Sequence, residues 1–162
     1  MMIKNYYQGN ENELYHLSVG AVLINALGQI ACHHIKKRNN LQDVYLLMRE
    51  TVEPHEALED ALKRGLMEEF GAKGKLISYI GSLESSYQKG SKIIPKTTLY
   101  FIFKLIEIKP TWRKADDWES DSEIEWRDAK FLIPKMQKQA KKYNMTDIDE
   151  SEILSRINKN NV

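Results

Sequence analysis

Cysteine is nearly absent from the chain: Cys32 is the single one in 162 residues. That excludes an internal disulfide framework and makes a reducing compartment the simpler expectation. Glycine (8) and proline (4) are scarce, which excludes collagen-like and linker-like chains. An excess of one charge is also missing, since 24 Lys+Arg against 23 Asp+Glu leave +1. No bulk field therefore marks a nucleic-acid or membrane surface. No apolar run reaches the ~18 residues of a membrane-spanning helix. Residues 1–14 read as a polar leader without the apolar core of a secretory signal. These absences predict a cytoplasmic protein with neither a nucleic-acid nor a membrane partner, and leave a homodimer open. What is present is ordinary for one globular domain: 42% hydrophobic residues, with Phe 4, Trp 3 and Tyr 8.

The chain shows no repeat. His16 to Asn25 and Gln29 to Lys36 read as strands joined by a turn at Asn25-Ala-Leu-Gly28. Asp43 to Met48 is a short, nearly all-apolar run, the mark of a central strand covered on both sides. After Pro54 the pattern becomes helical from about His55 to Phe70, with Leu58, Ala61, Leu62 and Leu66 on one face. Gly71 is placed to stop that helix. Lys75 to Tyr87 and Lys96 to Ile108 read as long strands about a turn at 88–92. Pro110 to Asp121 is an acidic loop bearing two tryptophans, and Glu123 to Arg127 is a short strand. Phe131 to Tyr143 is a basic amphipathic helix, and Ile148 to Ile157 a last one. This order predicts an α+β fold, a mixed β-sheet packed between helices.

Most of the chemistry lies in Arg64-Gly-Leu-Met-Glu-Glu-Phe-Gly71. On a helical wheel Glu69 falls near the middle of the apolar stripe, and Glu68 at its edge. Arg64 and Glu68 form an i, i+4 pair. Two acids in a last helical turn oppose the dipole by roughly 0.3–1 kcal/mol each. A half-buried acid there needs a positive partner. A hard cation such as Mg²⁺ would supply it, and so would salt bridges to Arg64 and nearby lysines.

The spacing is more specific. Glu50-x5-Glu56-x7-Arg64-Gly-Leu-Met-Glu68-Glu69-Phe-Gly71-Ala72 resembles the signature of the Nudix hydrolases, G-x5-E-x7-R-E-U-x-E-E-x-G-U with U aliphatic. The resemblance extends to the leading strands and to the late acid-x-x-Trp strand at Glu123 to Trp126. It implies an α/β/α sandwich over residues 15–143; residues 144–162 read separately as a helical extension. It also implies an activity: metal-dependent cleavage of a diphosphate linkage in a nucleotide or other nucleoside-diphosphate-X compound, with Mg²⁺ or Mn²⁺ as cofactor. By position, Glu68 and Glu69 are the implied metal ligands. Arg64 is the residue that orients the acids, and Glu56 the brace at the helix start.

Two departures stand out. Position 65 is Gly where the signature has its first paired glutamate, and position 50 is Glu where the signature opens with Gly. The missing acid could come from Glu50, or from the later Glu84, Glu119, Asp121, Glu123 or Glu125. Alternatively the chain is a ligand-binding or regulatory module on the same fold. A third reading, an isoprenyl diphosphate isomerase, requires a reactive Cys32. Arg49, Trp118 and Tyr87 are candidate substrate contacts: a cation beside the box, an aromatic able to stack a base, and a polar ring near a basic strand turn. His33 and His34 are adjacent on a strand and so face opposite sides; both read as structural or surface residues.

Overall fold

A computed structural model describes residues 14–158. Apart from residue 14, the leader lies outside the described residues. Seven strands form one mixed sheet. β1 (His16–Ile24) and β2 (Ile30–Arg38) meet as a hairpin at Ile24 and Ile30 and then diverge. β3 (Leu41–Leu46) pairs with β2, and β4 (Met48–Thr51) pairs with β1. The expected central strand is therefore two strands, divided at Leu47, that fill the fork between β1 and β2. Val44 through Met48 are all buried there, as the apolar run demands.

β5 (Ala72–Lys89) and β6 (Lys92–Ile108) form a long antiparallel ribbon turning at Gly90-Ser91. β6 then runs parallel to β1 along His16 to Ile24. β7 (Glu123–Arg127) borders β2. Both ribbon strands extend past their expected ends, because each supplies the other's backbone partners to the tip.

Alternation along the strands loads two cores. Val19, Ala21 and Leu23 of β1 face α1 (Leu58–Gly65) with its Ala61 and Leu62, joined by Leu66 and Phe70. Val22 and Ile24 face the other way, onto Leu132 and Met136 of α2 (Ala129–Tyr143) and Ile153 and Leu154 of α3 (Ser151–Ser155). The result is the expected α/β/α sandwich. Residues 146–155 pack on the same sheet face as α2, and α3 is shorter than the expected last helix.

α1 begins at Leu58, not near His55. His55 takes a left-handed φ of +65°, and Glu56 N–H closes a turn on the Glu53 carbonyl at 3.0 Å, so the chain cannot turn helical before Ala57. The helix also changes pitch. Leu66–Phe70 form a π-helical turn, an irregularity frequent at functional sites. Gly71 ends it at φ +62°, where an added Cβ would stand 2.3 Å from the Lys109 carbonyl oxygen.

Candidate active site

β4, the loop after it and α1 build the site. β4 alternates Met48 toward α1, Arg49 away, and Glu50 back toward α1. Arg64 reaches back across the loop. Its Nε and one terminal nitrogen donate to the two Glu56 carboxylate oxygens, both at 2.9 Å, and that nitrogen also donates to the Thr51 carbonyl at 2.8 Å. This forked pair clamps the loop to the helix, and it holds the Glu56 carboxyl below the usual range. The other terminal nitrogen lies 3.2 Å from Glu50 Oε1 and 3.8 Å from Glu68 Oε2.

Glu69 projects from the π turn into the sheet and is 3% exposed. One carboxyl oxygen lies 2.7 Å from His33 Nε2, while the other, Oε1, is buried without a hydrogen-bond partner. Burial pushes the Glu69 carboxyl well up, reinforced by Glu119 and Glu50 and opposed by Arg49. Burial, with Arg113 nearby, holds His33 down to about 3. The surrounding bonds order the imidazole. Ser122 Oγ donates its one proton to the Glu119 carbonyl at 2.7 Å, so it accepts from His33 Nδ1 at 2.7 Å. A neutral His33 then presents its Nε2 lone pair to Glu69, so the 2.7 Å contact is a hydrogen bond donated by a proton on Glu69 Oε2, in keeping with the raised carboxyl, and Oε1 stays unpartnered.

The loop after β6 closes the cleft against the end of the π turn. Lys114 N–H donates to the Glu68 carbonyl at 2.8 Å, and Arg113 Nε to the Glu69 carbonyl at 2.6 Å. Arg113 also donates to the Glu119 and Ser122 carbonyls. The resulting cleft, about 490 Å³, is lined by Glu50, Glu53, Arg64, Glu68, Glu69, Lys114, Asp116 and Glu119. Burial raises the Glu50 carboxyl, with Arg64 opposing. Six acids against two cations leave the cleft strongly negative.

The residues present suit a hard cation. The donors are carboxylate oxygens, and the buried, unpartnered Glu69 Oε1 is an acceptor that a cation would satisfy. Among the described residues no three His, Cys, Asp or Glu groups are close enough together to hold one metal ion. Glu50 is turned to Arg64 and to the Thr51 N–H at 2.9 Å.

The structure thus brings Glu50, Arg64, Glu68 and Glu69 to one cleft. Arg49, expected as a substrate contact, is not among the residues that line this cleft. Strand alternation aims it at the opposite face, where its guanidinium meets Asp147 at 3.2 Å and Glu150 at 3.7 Å. Tyr87 is likewise away from the cleft, its hydroxyl 3.0 Å from His16 Nδ1. Trp118 stands edge-on to His33, ring centroids 4.9 Å apart, next to cleft residue Glu119. Of the late acids, Glu119 alone lines the cleft. Asp121 pairs with Arg38, Glu123 with Lys36, and Glu125 with His34 and Arg127, while Glu84 lines a larger cleft of about 680 Å³ on the α2 face. Cys32 is buried on the α2 side, and burial with Glu125 pushes its thiol up to about 12, which removes the nucleophile an isomerase needs. His33 was not legible as a site residue; only the alternation separating it from His34 hinted at it.

Fold and cleft together define a mixed-sheet sandwich with a carboxylate-lined pocket on a strand–loop–helix element. The NUDIX domain profile matches residues 14–147, and the chain belongs to that family. Its fold is similar to a NUDIX hydrolase from Nitrosomonas europaea, with TM-score 0.63 and 14% identity over 88% of this chain and 90% of that one. It is also similar to a C. elegans Ap4A hydrolase (TM-score 0.56, 14% identity, 87% and 93% covered). A MutT protein from Methanosarcina mazei Go1 is a third such structure (TM-score 0.51, 14% identity, 83% and 96% covered). No curated protein matches the chain by sequence. No helix among the described residues is long and apolar enough to cross a membrane.

Proposed function

We propose that this protein is a metal-dependent hydrolase of the cytoplasm that cleaves a diphosphate linkage in a nucleotide or other nucleoside-diphosphate-X compound. The observation that carries the reading is Glu69: a buried carboxylate with one oxygen unpartnered, in a cleft lined by acids. Glu68 and Glu69 would hold Mg²⁺ or Mn²⁺, and the ion would neutralise the diphosphate and activate the attacking water. Arg64 holds the loop and helix in register through Glu56 and keeps Glu50 and Glu68 on either side of its guanidinium. His33 fixes the orientation of Glu69. Lys114 is exposed, and no side-chain partner is recorded for it among the described residues, so it is the cation available to a substrate phosphate. Trp118 is the aromatic at hand for a base. Arg49 and Tyr87 have no part in this reading, because both side chains are engaged elsewhere.

The test is a panel of nucleoside triphosphates, nucleotide sugars, dinucleoside polyphosphates and ADP-ribose with Mg²⁺ or Mn²⁺, run on the parent and on Glu69→Gln. Turnover that needs the metal and falls by roughly 10²-fold or more in the variant supports the reading, a loss of the size that follows removal of a main charge-stabilising group. Binding of panel members without turnover under either metal overturns it. It would instead support the ligand-binding module, the alternative that Gly65 favours.

A further inference from the structure

We propose that Glu50 on β4 supplies the third carboxylate of the metal site, in exchange for the glutamate that the signature places at position 65. The proposal rests on the metal-dependent reading above and deepens it. The two departures from the signature are fifteen positions apart in sequence and in contact in space. A Cβ built on Gly65 would lie 2.8 Å from Glu50 Cβ and 2.7 Å from Met48 Sδ. At that separation only one of the two positions can carry a side chain unless β4 or α1 moves. The signature fills the helix position and leaves the strand position bare; this chain does the reverse.

The relocated acid lines the same cleft, and its carboxylate, turned to Arg64 and the Thr51 N–H without metal, swings toward Glu68 and Glu69 to join them on one ion. Glu50 Oε1 lies 3.2 Å from the Arg64 nitrogen that stands 3.8 Å from Glu68 Oε2, so the two carboxylates flank one guanidinium end. Glu50 and Glu69 line the same cavity, and one carboxyl oxygen of Glu69 is buried with no hydrogen-bond partner. That orphan is the independent sign that a cation belongs there; three acids alone would be only an acidic patch. Gly65 is then the residue that lets β4 approach α1 closely enough for a strand-borne carboxylate to take over. This accounts for a glycine inside a helix, where it is less favourable than alanine.

The experiment measures Mn²⁺ affinity by electron paramagnetic resonance, and thermal melting without metal, on the parent, Glu50→Gln, Glu50→Gly, Gly65→Glu and the double variant Glu50→Gly/Gly65→Glu. Glu50→Gln keeps the packing of the side chain and should weaken Mn²⁺ binding by about 10-fold or more while melting like the parent. Gly65→Glu alone should melt lower, from the clash with Met48 and Glu50. The double variant should recover the Mn²⁺ affinity to within roughly 3-fold of the parent and the part of the melting loss that comes from Glu50, while the contact with Met48 remains. Parent-like Mn²⁺ affinity in Glu50→Gln, or a double variant that binds no better than Glu50→Gly, overturns the exchange and leaves the metal-dependent reading standing. A parent that binds no Mn²⁺ overturns both.

Discussion

Arg49→Met removes a buried cation and keeps most of the side-chain volume. The guanidinium is 10% exposed, donates to the Asp147 carbonyl at 2.7 Å, and meets the carboxylates of Asp147 at 3.2 Å and Glu150 at 3.7 Å. Asp147 would keep Lys96 at 3.4 Å and Ser85 at 2.8 Å. Glu150, fully buried, would keep the Leu47 N–H at 2.7 Å and the Tyr100 hydroxyl at 2.6 Å but lose its only ion-pair partner among the described residues. Breaking a buried pair from one side costs about 3–5 kcal/mol. For a chain of this size each kcal/mol lowers Tm by roughly 2–4 °C, so the variant should melt on the order of 10 °C lower. The assay is urea and thermal unfolding followed by circular dichroism, with hydrolysis measured well below the new Tm. The expected result is a large stability loss with KM unchanged. Parent-like unfolding with a raised KM would refute the reasoning and return Arg49 to the substrate.

Lys114→Met should raise KM for the best panel substrate by roughly 10-fold, the loss of one charge-assisted phosphate contact, and leave the melting point unchanged. An unaltered KM removes Lys114 from the site. Stability should also fall on acidification through His16. Burial and Lys96 hold its pKa down to about 4, against 6.5 in a free histidine. Between these values the unfolded chain takes up a proton that the folded chain refuses, so stability declines as pH drops from 6.5 to 4. His16→Gln should flatten part of that slope in urea titrations; equal slopes would show that the decline comes from other groups.

The elements were legible because their signals are local. An apolar, β-branched run marked β1, the turn signal after it marked the hairpin to β2, a helical stripe marked α1, and Gly71 marked its end. Glu69 was legible as a half-buried acid because a wheel needs only sequence spacing, although the π turn shifts the pitch under it. Arg49 was not legible. Alternation places Arg49 opposite Glu50, but which of them faces α1 depends on how β4 registers against β1. The role of His33 needs a partner thirty-six residues away, and that of Lys114 needs the loop to fold back on the helix end.

By itself, the sequence determined the family, the α+β class, and the helix that carries Arg64, Glu68 and Glu69. These rest on short-range spacing, which the chain carries wherever it folds. Only the tertiary structure decided which acids share a cleft, which cations line it with them, and that Glu50 and Gly65 are neighbours. Those are contacts between distant segments, set by the packing of β4 on α1 and of the loop after β6 on the π turn.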